Sequence, residues 1–202
     1  MSKNGVVNNN YAAEQHGGAA QRIIVAARRG SHAVVSFQQK NLGIWQTQKE
    51  SVGWIGCHGL GKREEGDGRT PAGSLSFLYA FGICPNPGTS FPYLRIDSSH
   101  YLVDDVSSRY YNQIVSRRDV LADWRSAEHM AEMKDAYCYG LVTDYNKGRV
   151  PGIGSGIFLH CEESRPTSGC ISVPKDMVIW LLQNMVTDCY MIIDFPEGKC
   201  YT

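Results

Sequence analysis

The chain has 202 residues, 43% of them hydrophobic, and its 20 basic and 20 acidic residues give a net charge of zero. This length predicts one domain with a single sizeable core, with room for a flexible end. The balanced charge, without long runs of one sign, argues against a nucleic-acid-binding protein or a polybasic membrane-surface protein. The longest apolar stretches, such as MVIWLL, are too short for a transmembrane segment.

The beginning of the chain is polar and rich in Asn, Gly and Ala. It contains no basic region followed by an apolar one, so it lacks the pattern of a signal peptide. We therefore expect residues 1–20 to form a flexible N-terminal segment and residues 21–202 to form one domain.

Short strand-like segments separated by turn-forming residues dominate the first half of the chain. Segments 21–28 and 33–39 carry β-branched and aromatic residues, and the Gly30 region between them predicts a hairpin turn. The spacing of such segments indicates a meander rather than βαβ units, and thus a mostly β domain. Further extended segments are predicted at 42–48, 51–57 and 73–82.

The second half of the chain is less regular. Residues 85–125 mix Pro, Gly, Ser and Asp with aromatic residues, and a span of this length predicts a functional loop or lid. Residues 126–134 are expected to form a short helix with Ser126 as N-cap and with Glu128 and Glu132 on its exposed side. The remaining predicted elements are an apolar helix at 175–186 and strands at 137–146, 155–161 and 189–195.

Seven cysteines are scattered along the chain without a CxxC pair, which disfavours a zinc ribbon or a thioredoxin motif. Because the number is odd, at least one thiol must remain unpaired within the chain. Cys57, Cys84, Cys138 and Cys189 are expected to be small buried apolar residues.

The stretch HCEESRPTSGC, from His160 to Cys170, carries the first candidate chemistry. A neighbouring imidazole can take the proton of a thiol and leave the more nucleophilic thiolate. Gly169 permits a tight backbone, and the N–H groups of this segment, at Ser168, Gly169 and Cys170, are candidates for an oxyanion hole.

Two other interpretations of this stretch stay open at this point. His160 and Cys170 can be a satisfied core histidine and a structural thiol, and the pair taken alone favours that interpretation. Zinc binding by His160, Cys161 and Cys170 is the least favoured, because adjacent residues of a strand point to opposite faces.

The second stretch is GKREEGDGRTPAGSLSF, a polar loop punctuated by glycines. On its own it is typical of a solvated surface turn, and its glycines and lysine fit neither a P-loop nor a dinucleotide-binding fingerprint.

Together, the two stretches resemble the catalytic domain of the L,D-transpeptidase family, the cysteine transpeptidases of bacterial peptidoglycan. The resemblance covers roughly residues 21 to 195, with both motifs in the family's order. Ser168 and Ser172 stand where many members have His and Arg or Asn, and the His–Cys spacing is shorter, so the chain is similar to a divergent branch. The matching residues are Lys62, Glu65, Gly66, Asp67, Gly68, Thr70, Pro71 and Gly73, then His160 and Thr167–Cys170.

The resemblance implies a mostly β fold, a mixed β-sandwich with a few short helices. It implies that Cys170 attacks a carbonyl of a peptidoglycan stem peptide, with His160 as base and no metal or organic cofactor. The thioacyl-enzyme is resolved by an amine of a second stem. It further implies a periplasmic or cell-envelope location and inhibition by carbapenem-type compounds.

Two alternative functions remain: an L,D-carboxypeptidase or endopeptidase that hydrolyses the same stems, and an inactive peptidoglycan-binding module. A papain-like peptidase is disfavoured, because there the Cys precedes the His in the chain. The candidates for substrate binding are Arg165, His129 and Tyr111, with Tyr110 and Asn112 as neighbours of Tyr111. Arg165 is a candidate for pairing with a stem carboxylate.

Overall fold

The computed structural model describes His16 and residues 18–194, so most of the predicted flexible segment 1–20 lies outside the described residues. The described part contains twelve strands, two short 3₁₀ helices and one α-helix, which confirms the predicted mostly β class. The strands are β1 Gln21–Ala27, β2 His32–Asn41, β3 Ile44–Trp54, β4 Gly73–Gly82, β5 Tyr93–Arg95, β6 His100–Val103, β7 Gln113–Ser116, β8 Ala127–His129, β9 Gly140–Thr143, β10 Phe158–Cys161, β11 Ile171–Val173 and β12 Tyr190–Asp194. The helices are η1 Met130–Glu132, η2 Ala136–Cys138 and α1 Lys175–Asn184.

Nine strands form one mixed sheet in the order β12-β1-β2-β3-β11-β10-β9-β4-β5. Because β12 also pairs with β4, eight of these strands close into a ring. The pairs β1–β12, β10–β11 and β4–β5 are parallel, and the other pairs are antiparallel. The expected mixed sandwich is therefore one continuous closed sheet, and a separate three-stranded sheet, β7-β6-β8, lies beside it.

The strands of the first half follow the alternation of the sequence. In β1, Ile23, Val25 and Ala27 are buried and the residues between them are half-buried, as expected for a strand with one face on the core. The hairpin to β2 turns at Gly30, whose φ of 72° is accessible to glycine without strain. The segments predicted at 42–48 and 51–57 belong mainly to one strand, β3, because β2 pairs with it along its whole length.

Helix α1 closes the core behind the strands. It follows Pro174 and buries Met177, Val178, Leu181 and Leu182. Complete burial of such a side chain stabilises the fold by about 1.5–3 kcal/mol. The helix therefore packs directly behind β10 and β11, with which it shares the main hydrophobic core.

The region 85–134 differs most from expectation. Residues 85–125 contain the short strands β5, β6 and β7, and 126–134 contain β8 and η1 instead of the predicted helix. The helix prediction is wrong because β8 pairs with β6, with Leu102 opposite Glu128. Ser126 is therefore not an N-cap, and Glu128 faces the interior of a cavity instead of solvent.

The cysteines only partly follow the prediction. Cys138 and Cys189 are buried and Cys84 is half-buried, but Cys57 is exposed, because the chain turns at the surface just after β3. No two cysteines among the described residues form a disulfide. In the same part of the chain, no helix has the length and apolar character needed to cross a membrane.

Candidate functional site

The Gly-Asp-Gly loop of the first motif is organised by Asp67. The Asp67 carboxylate accepts hydrogen bonds from the backbone N–H groups of Arg63 (2.7 Å), Glu64 (3.2 Å) and Arg69 (3.0 Å). It also accepts one from the Lys62 ammonium at 3.0 Å, and both side chains of this ion pair are largely buried. Although burial acts to raise the pKa of Asp67, these donors hold that pKa well below its usual range. The carboxylate is thus the centre around which the loop folds.

Gly68 is required by this loop. Its φ is 67°, and a Cβ at this position would lie 2.8 Å from the Cys57 sulfur and 2.9 Å from the His58 ring. A side chain would therefore displace the neighbouring turn.

Thr70 connects the first motif to the second. Thr70 is fully buried, and its hydroxyl accepts a hydrogen bond from the Gly56 N–H at 2.8 Å and donates one to the Cys170 carbonyl at 3.4 Å. Thr167 also donates its hydroxyl to the Cys170 carbonyl, at 2.6 Å. The two motifs, separate in the sequence, therefore meet at the backbone of Cys170.

Strands β10 and β11 place the candidate pair. They are parallel, with His160 opposite Ser172, so these two side chains lie on the same face of the sheet. Cys170 precedes Ser172 by two positions and lines the same cavity as His160. Cys161 points to the opposite face, where it is buried and its thiol donates to the Tyr139 carbonyl. The pleat thus separates Cys161 from the site, as the alternation predicts.

The Cys170 thiol is held by backbone groups. It donates to the Gly156 carbonyl at 3.0 Å and accepts from the Phe158 N–H at 3.3 Å. Burial raises the pKa of Cys170 to about 12; the Glu128 carboxylate also raises this pKa, whereas the Phe158 N–H and the Lys62 ammonium lower it. At neutral pH the thiol is therefore protonated in this state.

His160 is buried and lines the same cavity as Cys170. Its Nδ1 lies 2.8 Å from the Cys161 carbonyl, an acceptor, so Nδ1 carries a proton and Nε2 is the nitrogen left to accept one. Burial lowers the pKa of His160, against the effect of the Cys161 carbonyl, Glu163 and the Ala136 carbonyl. The His160 ring packs edge-to-face against the Tyr137 ring, with 5.5 Å between the ring centroids and an interplanar angle of 89°. This packing fixes the plane of the imidazole.

The cavity in front of the pair has a volume of about 400 Å³. The closed sheet contributes His160 and Ser172 to its lining, and the small sheet contributes Leu102 and Glu128. A volume of this size falls in the range of small-molecule and substrate sites. Its polar lining is formed by Lys62, Glu65, Asp104, Glu128, Tyr137, Ser155, His160, Glu163, Arg165, Thr167, Ser168, Cys170 and Ser172.

The segment before Cys170 contains the predicted oxyanion-hole residues. Gly169 has a φ of 146°, and a Cβ there would lie 2.9 Å from the Arg69 carbonyl, so only glycine fits. Its N–H is bonded to the Thr167 hydroxyl at 3.2 Å, and Ser168 lies exposed at the cavity rim. The oxyanion hole at these residues stays a prediction.

The three predicted substrate-binding residues occupy different places. Arg165 lines the cavity and pairs with Glu163 at 2.7 Å. His129 lies outside the cavity lining, stacked on Tyr101 and bonded to the Ser98 carbonyl. Tyr111 is buried behind the cavity wall, where its hydroxyl donates to Glu65.

Asn112, next to Tyr111, supports the loop that holds the thiol. Its side-chain oxygen accepts a hydrogen bond from the Gly156 N–H at 2.9 Å, and its amide donates to the carbonyls of Tyr145 and Asn146. The Gly156 carbonyl is the acceptor of the Cys170 thiol. Asn112 therefore positions this acceptor.

Sequence reasoning missed the acidic side of the cavity. Glu128 was expected in solvent, but it lines the cavity and forms a hydrogen bond with the Tyr137 hydroxyl. Asp104, just after β6, lines the same side. The signal that identifies them is the pairing of β6 with β8, which local patterns do not contain.

Comparison with known proteins gives no family assignment, since no protein-family model and no curated protein matches the chain. Similar solved structures include Bd1075 of Bdellovibrio bacteriovorus, at 18% identity and a TM-score of 0.48, over 87% of this chain and 48% of that one. Another is the helical cell shape determining protein Pgp2 of Campylobacter jejuni, at 13% identity and a TM-score of 0.47, over 95% and 57%. The chain thus spans about half the length of these proteins. Both TM-scores lie below 0.5, so these similarities carry no functional assignment.

Proposed function

We propose that this chain is a cysteine acyltransferase that acts on peptidoglycan stem peptides through a thioacyl-enzyme on Cys170, with His160 as base. The observation that carries the proposal is that His160 on β10 and Cys170, directly before the adjacent parallel strand β11, line one cavity. A thiol and a buried imidazole that line one cavity of this size are the two groups that nucleophilic catalysis by a cysteine requires.

The first half-reaction is acylation. The Cys170 thiol passes its proton to Nε2 of His160, and the thiolate attacks a peptide carbonyl, forming a C–S bond and a tetrahedral oxyanion. The imidazolium then returns the proton to the departing amine as the C–N bond breaks, which leaves a thioester. The Nδ1 bond to the Cys161 carbonyl favours this step, because it stabilises the protonated ring.

The second half-reaction is deacylation. An acceptor amine attacks the thioester carbonyl and loses a proton to Nε2 of His160. The C–S bond breaks, and the Cys170 thiolate recovers the proton from the ring. With water as acceptor, the same steps hydrolyse the thioester.

The resting arrangement requires one rearrangement before attack. The Cys170 thiol is directed to the Gly156 carbonyl, and the hydrogen bonds of the described residues include none between Cys170 and His160. Catalytic hydrogen bonds are often formed only in the substrate complex. We expect a substrate to displace the thiol from Gly156 and turn it toward His160.

The choice of peptidoglycan stems rests on the two motifs that resemble the L,D-transpeptidase family. The contacts of Thr70 and Thr167 with the Cys170 carbonyl support it, because they give the first motif a physical role in holding the nucleophile. Arg165 at the cavity rim is a candidate for a stem carboxylate, since guanidinium groups bind carboxylates with two parallel hydrogen bonds. This substrate implies a periplasmic or cell-envelope location.

The test is mass spectrometry of the products from a disaccharide-tetrapeptide, with and without an added amine acceptor. A cross-linked or amine-exchanged product supports acyl transfer, and a shortened stem alone supports the hydrolase, an L,D-carboxypeptidase or endopeptidase. Unchanged substrate with measurable binding supports an inactive peptidoglycan-binding module. The Cys170→Ser variant, checked for folding by circular dichroism, is the matched control.

A further inference from the structure

The lining of the cavity carries more carboxylates than cationic side chains. Its lining contains four carboxylates, at Glu65, Asp104, Glu128 and Glu163, and two cationic side chains, at Lys62 and Arg165. Both cations are already paired: Lys62 bonds to Asp67 at 3.0 Å, and Arg165 bonds to Glu163 at 2.7 Å. The carboxylates of Asp104 and Glu128 have no ion-pair partner among the described residues.

Asp104 and Glu128 lie on the same wall. Glu128 on β8 is opposite Leu102 on β6, and Asp104 follows Leu102 by two positions, so the alternation turns all three to the cavity. The two carboxylates are close enough for Asp104 to raise the pKa of Glu128, although burial contributes more. We call Asp104 and Glu128 the acidic wall.

Two buried polar atoms, both of residues that line this cavity, have no hydrogen-bond partner within the described part of the chain. One is Oδ1 of Asp104 and the other is Oγ of Ser172, a residue that is only 1% exposed. A buried polar group without a partner destabilises the fold, so such atoms usually mark the place of a ligand or water. A carboxylate oxygen and a hydroxyl oxygen can both accept a hydrogen bond, so the matching ligand is a donor.

We propose that the acidic wall is a binding site for a primary ammonium group, and that its occupation increases the reactivity of the Cys170 thiol. An ammonium group carries one positive charge and three N–H donors, and it has no acceptor that would compete with the carboxylates. A metal ion is a poorer match: no group of three His, Cys, Asp or Glu side chains in the described residues is arranged to hold one.

A cation bound at the acidic wall affects the Cys170 thiol through its charge. The Glu128 carboxylate raises the pKa of Cys170, in addition to the larger effect of burial. A cation on the acidic wall offsets the Glu128 charge and lowers that pKa, so a larger fraction of the thiol becomes thiolate. The other titratable or charged groups that line this cavity are Lys62, Glu65, Tyr137, His160, Glu163 and Arg165.

This inference rests on the proposed function only in treating Cys170 as the reactive group. It assigns a substrate class to the site, namely substrates with a free primary amine near the acyl carbonyl. The ammonium group of a bound substrate would thereby increase the reactivity of Cys170 toward that substrate. An enzyme of this kind stays unreactive until an amine-bearing substrate has entered.

The experiment measures alkylation of Cys170 by iodoacetamide at pH 7, with peptide mass spectrometry to separate Cys170 from the other cysteines. The probe is n-propylammonium chloride, compared with propan-1-ol plus sodium chloride at the same ionic strength. We expect the ammonium alone to accelerate the reaction, by about tenfold for each unit by which the pKa of Cys170 falls.

The variant is Asp104→Asn with Glu128→Gln, which keeps size and removes charge. We expect it to alkylate faster than wild type without the probe and to show no response to n-propylammonium. If the double variant does not fold, the same measurement is made on Asp104→Asn alone. The matched control is Glu50→Gln, an exposed carboxylate on β3, which should respond like wild type.

A second measurement does not depend on Cys170 chemistry. Saturation-transfer NMR should show n-propylammonium bound to wild type and not to the double variant. Equal alkylation rates with both probes, together with unaltered NMR binding in the double variant, would overturn the inference and leave the proposed function intact. Absence of any Cys170 acylation by stem peptides, with ammonium binding retained, would instead overturn the proposed function alone.

Discussion

The hydroxyl of Thr70 donates a hydrogen bond to the carbonyl of Cys170 at 3.4 Å, although the two residues are 100 positions apart. The same hydroxyl accepts the Gly56 N–H, so one fully buried side chain joins three segments. The conformation of the nucleophile's backbone therefore depends on the Gly-Asp-Gly loop, which itself lies outside β10 and β11.

Replacing Thr70 by Val should destabilise the protein by about 1–3 kcal/mol, because the buried Gly56 N–H loses its acceptor and the Cys170 carbonyl loses a donor. The midpoint of urea unfolding measures this loss. Thr70→Ser keeps the hydroxyl and should retain most of the stability, while Thr47→Val on the exposed part of β3 should change it little. Equal midpoints for Thr70→Val and Thr47→Val would contradict the linking role.

Gly169→Ala should cost about 1–3 kcal/mol from backbone strain alone, because its φ of 146° lies outside the range of L-residues. A further cost comes from the Cβ, which would lie 2.9 Å from the Arg69 carbonyl. Gly43→Ala is the matched control, with a positive φ of 83° and open space around the Cβ. Thermal unfolding should rank Gly169→Ala well below Gly43→Ala, and the reverse order would show that the Arg69 contact is unimportant.

A carbapenem should acylate Cys170, since its strained ring presents an activated acyl group to the same thiol. Intact-mass spectrometry should show one adduct, and peptide mapping should place it on Cys170. Cys57 is exposed and provides an internal control for unselective thiol reactions. An adduct on Cys57 with an unmodified Cys170 would argue against a reactive site thiol.

His160 should make the protein less stable in mild acid. Burial lowers the pKa of His160 in the folded state, so the unfolded chain binds a proton more readily than the folded one. Its stabilising contribution is complete above the unfolded pKa of about 6.5 and is lost as the pH falls through the folded pKa. The free energy of unfolding, measured by urea titration between pH 8 and pH 5 in steps of about one unit, should therefore fall with pH.

The matched variants for this experiment are His160→Gln and His32→Gln. His160→Gln removes the buried ring and should flatten the decrease, whereas the exposed His32→Gln should keep it. A decrease that is the same in both variants would assign the acid sensitivity to other groups.

Local patterns predicted the elements whose burial follows simple alternation. Strand β4 begins and ends at Gly73 and Gly82, as predicted, because apolar and β-branched residues between two turn formers favour a strand. The helix predicted at 126–134 does not form. Its residues favour a helix in isolation, but the pairing of β8 with β6 outweighs that weak preference. The prediction that Cys57 is buried was wrong for a similar reason, since its exposure depends on where the turn after β3 meets the surface.

By itself, the sequence determined the mostly β class, the nomination of His160 and Cys170, and the exclusion of Cys161 from their side of the sheet. These features depend on residue type, spacing and strand alternation, which are local. Only the tertiary structure decided that Glu128 and Asp104 line the cavity of the thiol, and that burial keeps this thiol protonated while it donates to the Gly156 carbonyl. Burial and electrostatic environment arise from segments far apart in the chain, and so they emerge only when the small sheet packs against the closed one.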